Sequence, residues 1–258
     1  MITQNLLGKT CLITGASSGI GYETAIAFAQ AKARLILCAR REDKLQALSQ
    51  TLKKDYQTEI LILKLDVSKF TEVEKTVNNL PSAWQSIDVL VNNAGLARTK
   101  DKLHEGNPAD WDEMIDTNLK GVLYVSRLIV PGMIARKKGH IINIGSISGQ
   151  EVYPGGGVYC ATKHALRAIT KTLRMELLGT NIRVTSIDPG AVETEFSLVR
   201  YRGDKEKAAA VYQGMTPLSG KDIANAVFYA ATCPPHVNIC ELRITPTDQA
   251  SVFMTHRK

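Results

Sequence analysis

Thr10-Cys11-Leu12-Ile13-Thr14-Gly15-Ala16-Ser17-Ser18-Gly19-Ile20-Gly21 sets the reading of everything that follows it. Its first five residues form a short apolar strand. Three glycines follow within seven residues, and then Ala25, Ala27, Phe28 and Ala29 mark a helix. A glycine-rich turn between a strand and a helix is an anion site. The glycines let the backbone approach a pyrophosphate closely, and the helix N-terminus offers free N–H groups and a positive dipole end. The spacing is G-x-x-x-G-x-G rather than G-x-G-x-x-G, but its place between strand and helix fits a dinucleotide loop.

Outward from this turn the same unit repeats. A second strand, Ala33 to Ala39, ends in Arg40-Arg41 where a dinucleotide fold normally presents an acid to the adenosine ribose. Guanidinium forks suit a 2′-phosphate, so NADP is expected over NAD; the competing reading makes the two arginines the start of the polar face of a helix over Glu42–Lys54. A third strand, Glu59 to Val67, closes on Asp66-Val67. Asp66 is placed either to accept from an adenine amino group or to cap a helix near Phe70–Val77, with Ser68 as cap residue. A fourth strand, Ile87 to Val91, runs into Asn92-Asn93-Ala94-Gly95. A long helix is expected from about Ala109 to Leu128, with Asn118, a poor helix former, in its middle.

The fifth strand, His140 to Ser146, is followed by the turn Gly155-Gly156-Gly157 and a helix carrying Tyr159 and Lys163. Four residues apart, these two share a helix face. An ammonium beside a phenol favours the phenolate and lowers its pKa from about 10, which makes a proton acceptor near neutral pH. A sixth strand, Ile182 to Ile187, ends in Asp188-Pro189-Gly190. Six successive strand–helix units predict a doubly wound α/β fold with a central parallel sheet and a ligand crevice at the carboxyl ends of its strands.

Beyond this the pattern weakens. Residues 191–216 read as a mobile substrate loop, Ser219 to Ala231 as a helix with Asp222 in its first turn, and Cys240 to Thr245 as a last strand. A polar tail covers Thr247–Lys258. No repeat, linker or low-complexity segment divides the 258 residues, so one domain is expected. No apolar run is long enough to span a bilayer. Met1 to Lys9 lacks the pattern of a secretory signal, so a cytoplasmic protein is expected. The five cysteines are scattered without metal-ligand spacing, which predicts free thiols and no metal. Cys160 reads as a small core-facing residue. A net charge of +7 suits an anionic cofactor or substrate; the basic residues are dispersed, which argues against nucleic acid.

Together these motifs resemble the short-chain dehydrogenase/reductase family over essentially the whole chain. Thr14 to Gly21 is similar to its cofactor loop, Asn92-Asn93-Ala94-Gly95 to its second signature, and Pro189-Gly190 with Thr194 to the segment that holds the nicotinamide carboxamide. Asn118, Ser146, Tyr159 and Lys163 match its catalytic tetrad in order and spacing. The resemblance implies cofactor contacts from Gly15, Ser17, Ser18, Gly19, Ile20, Gly21, Arg40, Arg41, Asp66, Val67, Asn93, Ala94, Gly95, Tyr159, Lys163, Pro189, Gly190, Val192 and Thr194. It also implies a division of labour. Tyr159 is the acid/base, Lys163 its pKa-lowering partner and ribose contact, Ser146 the holder of the reacting oxygen, and Asn118 the seat of a relay water.

A narrower resemblance, carried by Leu80 to Trp84, Ile115 to Asn118, His140 to Ser146, Thr194 to Arg200 and Pro235 to Ile239, is to NADP-dependent 3-hydroxy acid dehydrogenases acting on serine, allo-threonine and similar acids. It implies a homotetramer whose tail packs on a neighbour, although Arg243 to Gln249 is more polar than that packing suggests. It also makes Gln150-Glu151-Val152-Tyr153 pocket lining, where an inward acid would oppose a carboxylate substrate. Arg98, Arg200 and Arg202 are candidates to hold that carboxylate. Two other readings stand beside this one: a carbonyl reductase of ketones, aldehydes or 3-oxoacyl groups, and a non-catalytic NADP-binding regulator on the same fold.

Overall fold

The structure, a computed structural model, describes residues 6–258. The expectation of no secretory signal therefore rests partly on residues 1–5, which lie outside that range. The elements in chain order are β1 (Thr10–Thr14), α1 (Gly19–Gln30), β2 (Arg34–Ala39), α2 (Glu42–Tyr56), β3 (Ile60–Lys64), α3 (Phe70–Asn78) and β4 (Val89–Asn92). After them come α4 (Pro108–Ile115), α5 (Gly121–Ala135), β5 (Gly139–Ile144), α6 (Gly157–Glu176), β6 (Ile182–Pro189) and β7 (Val192–Glu193). The last are α7 (Glu195–Arg200), α8 (Lys205–Ala210), β8 (Leu218–Ser219), α9 (Gly220–Thr232) and β9 (Glu241–Ile244). Seven strands form one parallel sheet in the order β3-β2-β1-β4-β5-β6-β9, and β7 pairs with β8 outside it.

The strands are near-continuous apolar runs because both faces of the sheet are covered. Alternate residues serve opposite layers. Cys11, Ile13, Leu35 and Leu37 pack with α1, α2 and α9 through Phe28, Leu48 and Val227. Leu12, Ile36, Leu90 and Ile141 face the other way onto Val73 of α3 and Val125, Ile129 and Met133 of α5. β1 lies between β2 and β4, with Ile13 opposite Leu37 on one side and Val91 on the other. The strand order reverses between β1 and β4, and the crevice of such a sheet opens at that switch point.

Several expectations are adjusted. β5 stops at Ile144, two residues short, and Ser146 begins a separate helical turn over Ile147–Gly149. Ser68 does not cap α3; Lys69 stands at that position, and Ser68 donates to Asp66 instead. The loop 191–216 contains β7, α7 and α8. The long helix is α4 and α5 joined by a π-helical turn over Asp116–Lys120, which contains Asn118. Ser219 and Asp222 form a reciprocal cap that starts α9.

His140 lies in β5, 2% exposed. Its Nε2 pairs with Thr185 Oγ1 at 2.8 Å, while Nδ1 has no partner. Burial, aided by the Arg183 charge, holds its pKa well below the ordinary 6.5. The unfolded chain binds this proton on falling through about pH 6.5 and the folded chain does not, so stability present above that pH is lost below it. The urea unfolding midpoint is expected to fall between pH 7.5 and 5.5, by about 1 kcal/mol in free energy, and to fall less in His140→Gln.

Candidate active site

A cleft of about 1140 Å³ opens at the carboxyl ends of the strands. It gathers the β1 turn, Arg40-Arg41, Asp66-Val67, Asn93 to Gly95, Ser146, Tyr159, Lys163 and the segment Pro189 to Thr194. Of the expected catalytic and cofactor residues, Gly21 and Asn118 do not line it and act from behind the wall; of the expected pocket segment Gln150-Glu151-Val152-Tyr153, Tyr153 lines it and the other three do not.

The floor depends on close backbone approach. Gly15 has φ +66°, and a Cβ there would lie 2.9 Å from Ala94 Cα. Asn93 fastens the two strand ends together, its Nδ2 donating to Thr14 O at 2.9 Å and to Gly15 O at 3.2 Å. Thr14 Oγ1 accepts from the N–H groups of Asn93 and Ala94, both at 3.0 Å. Gly21 packs against the same Asn93 amide and Gly15 O, so any side chain there would push the turn off β4. Across the cleft Thr194 caps α7 and rests on Gly19, whose φ is +56°.

Asn118 is 1% exposed. Its amide pairs twice with the Leu96 backbone, accepting from N at 2.8 Å and donating to O at 2.8 Å, and it also donates to Thr162 Oγ1 at 3.1 Å. Thr162 in turn donates to Tyr159 O at 2.8 Å. Asn118 thus ties α6 to the loop after β4. Gly95 leaves open the space where a Cβ would come within 3.3 Å of Asn118 Oδ1 and 3.8 Å of Lys163 Nζ.

Tyr159 and Lys163 are both buried on α6. Lys163 Nζ donates to Ile144 O at 2.8 Å and lies 5.9 Å from the Tyr159 ring centre. Burial pushes the phenol up to about 12 against the opposing influence of Arg200 and a hydrogen bond from Ser146. Burial pulls Lys163 down to about 8, with Asp188 partly restoring it. The ammonium is expected to lower the phenol; in this cleft burial is the largest influence on it, and Arg200 and Ser146 are the groups that lower it. Cys160 is fully buried and its thiol is raised by that burial, in keeping with a core-facing side chain.

The three candidate arginines separate cleanly. Arg98 is spent on Glu113, at 2.6 and 2.7 Å, and on Val199 O at 2.7 Å. Arg202 is bonded to Asp110. Arg200 alone has no carboxylate. It is 8% exposed, lies over the Tyr159 and Phe196 rings at 5.3 and 5.2 Å, donates to Tyr153 Oη at 3.1 Å, and keeps a buried Nε without a partner. Glu151 turns away, accepting from Arg243 at 2.5 Å and Val252 N at 2.9 Å. The tail packs on its own chain, with Gln249 Oε1 accepting from Ala191 N at 2.7 Å and Lys258 N donating to Gly214 O at 2.7 Å.

Among the neighbours of the cleft that escaped sequence reading are Lys44, inside α2, Glu195, at the start of α7, and Gln249, in the tail. Lys44 sits one turn beyond Arg41, a spacing that could have raised it. Nothing local marks Gln249. Among the described residues no cluster of His, Cys, Asp or Glu could hold a metal, and no helix is long and apolar enough to cross a membrane.

A seven-stranded parallel sheet with a glycine turn, a Ser-Tyr-Lys set and a buried Asn at one crevice is the arrangement of a nucleotide-dependent dehydrogenase. Residues 9–204 match the short chain dehydrogenase model, and the chain belongs to that family. It is 45% identical over 256 residues to the NADP-dependent 3-hydroxy acid dehydrogenase of Schizosaccharomyces pombe, covering 99% of both chains. To the NADP-dependent 3-hydroxy acid dehydrogenase YdfG of Salmonella typhi it is 45% identical over 240 residues, covering 93% of this chain and 95% of the other. Among solved structures, the closed form of serine dehydrogenase complexed with NADP+ superposes with a TM-score of 0.90 at 42% identity, covering 96% of this chain and 100% of that one.

Proposed function

We propose that this protein is an NADP-dependent oxidoreductase that transfers a hydride between the cofactor and the hydroxyl-bearing carbon of a small 3-hydroxy acid of the serine, allo-threonine or 3-hydroxypropionate type. The observation that carries the substrate class is Arg200. A buried guanidinium with an open N–H, set against the face of the Tyr159 ring, is what a carboxylate one carbon removed from the reacting carbon requires. The relatives' names agree with this reading.

The residues present fit the cofactor. The bare floor at Gly15, Asn93, Ala94 and Gly95 would admit a pyrophosphate and ribose, and the cations Arg40, Arg41 and Lys44 would receive the 2′-phosphate. Asp66 and Val67 would border the adenine, and Pro189, Gly190, Val192 and Thr194 the nicotinamide. When bound, NADP supplies the hydride acceptor at its nicotinamide ring. The chain's own residues do the rest. Tyr159 takes the proton from the substrate hydroxyl. Ser146, held by Ser148 N at 3.1 Å, steadies the oxygen on which charge develops. Lys163 carries the charge that makes the phenolate tolerable once its pocket is filled, and Asn118 holds the α6 register on which both depend.

With the purified protein, NADP is expected to be reduced with serine, allo-threonine or 3-hydroxypropionate at a kcat/KM at least about tenfold above that for neutral alcohols of equal size. Equal or greater activity with neutral alcohols would favour the carbonyl reductase reading, and binding of NADP without turnover the regulator reading. The proposal includes a cytoplasmic homotetramer. The exposed Leu123 and Ile134 on α5 and Met175 and Leu178 at the end of α6 offer apolar surface for assembly.

A further inference from the structure

Glu195, the first residue of α7, reaches across the cleft to the cations at the end of β2. Its Oε2 accepts from Arg41 Nη1 at 2.7 Å and its Oε1 from Lys44 Nζ at 2.6 Å. Arg41 is otherwise committed to hydroxyls of the glycine turn, with Nη2 at 2.7 Å from Ser18 Oγ and 3.1 Å from Ser17 Oγ. Every donor nitrogen of Arg41 is thereby engaged, Nε also reaching Ser17 Oγ at 3.3 Å. Lys44 has one carboxylate partner, and it is Glu195. Arg40 stands apart, 57% exposed by its side chain and 3.9 Å from Glu113.

A 2′-phosphate brings nearly two negative charges and three acceptor oxygens to this place. It cannot take Arg41 and Lys44 while both oxygens of Glu195 hold them, and a carboxylate left among phosphate oxygens repels them. A cofactor without the phosphate meets no such contest. We propose that Glu195 is a specificity residue of cofactor binding: a carboxylate lodged on the cations that receive the 2′-phosphate, which NADP displaces and NAD leaves in place. The inference rests on the NADP reading above. Its physical consequence is a seat whose positive charge is partly cancelled when empty and that binds the phosphate less tightly than its cations alone would allow, which favours cofactor release.

Isothermal titration of the purified full chain with 2′,5′-ADP and with 5′-AMP tests this. Glu195→Gln is expected to tighten 2′,5′-ADP about three- to tenfold, the worth of two partly exposed charge pairs, and to leave 5′-AMP within about a factor of two. Lys44→Gln is expected to weaken 2′,5′-ADP and spare 5′-AMP. Unchanged or weaker binding of 2′,5′-ADP by Glu195→Gln would overturn the proposal and make Glu195 a mere support for Arg41. Wild-type protein that binds the two nucleotides equally would overturn the 2′-phosphate reading itself, and this inference with it.

Discussion

Tyr159→Phe is expected to lower turnover by about 10³-fold or more while leaving the Kd for NADP within about a factor of two. The substitution keeps the ring, its edge contact with Phe196 at 5.8 Å and the Arg200 contact, so the pocket's shape survives. What it removes is the hydroxyl proposed to exchange a proton with the substrate. Ser146 is too weakly acidic to substitute. Asp188 is a buried carboxylate already held by Ser186 Oγ at 2.6 Å, and Lys163 is fastened to Ile144 O. Stopped-flow or steady-state NADPH absorbance, with fluorescence titration of the cofactor, measures both quantities. Residual turnover above about one part in a hundred would mean that another group or water carries the proton, and the acid/base assignment would fail.

Arg200→Met is expected to cost about 100-fold in kcat/KM for the acid substrates, most of it in KM, and to leave a neutral alcohol of the same size unchanged or improved. Methionine fills much of the same space against Tyr159 and Phe196 but offers no charge and no N–H. A carboxylate placed there would face an apolar wall without a partner, the costly case for a buried charge. Arg200→Lys should fall between, since an ammonium restores charge but not the two-pronged geometry. The paired substrates make the result decisive. A fall of equal size for acid and neutral substrates would show that Arg200 works by packing the Tyr159 ring, and the 3-hydroxy acid reading would lose the observation on which it stands.

Much of the sheet was legible because a strand buried on both faces must be apolar throughout, and because the ends of β1, β4, β5 and β6 carry punctuation in glycine, asparagine or proline. The tetrad was legible through a family resemblance rather than through local chemistry: Tyr159 and Lys163 four apart are unremarkable alone. What stayed hidden belongs to long-range geometry. Glu195 and Lys44 are separated by 151 positions, and no periodicity announces that they meet. Arg98, Arg200 and Arg202 look alike as letters, and only their partners tell a bound cation from an open one. The balance at Tyr159 is hidden for a similar reason, since a spacing places an ammonium near but does not say how much water both groups lose.

The π-helical turn between α4 and α5 has a consequence for how this segment tolerates change. A π turn carries one residue more than the α-helical turn it replaces. Deleting a single residue between Asp116 and Lys120 would close it into ordinary helix, leaving α4 and α5 nearly in their present register but re-aiming the side chains of the turn itself. Asn118 would leave Leu96 and Thr162, and α6 would lose its tie. Substitutions along the same stretch re-aim nothing. In descendants of this chain the number of residues from Pro108 to Ala135 is therefore expected to stay constant while most of the letters drift, so that alignment gaps, more than mismatches, would flag a member that has abandoned the site.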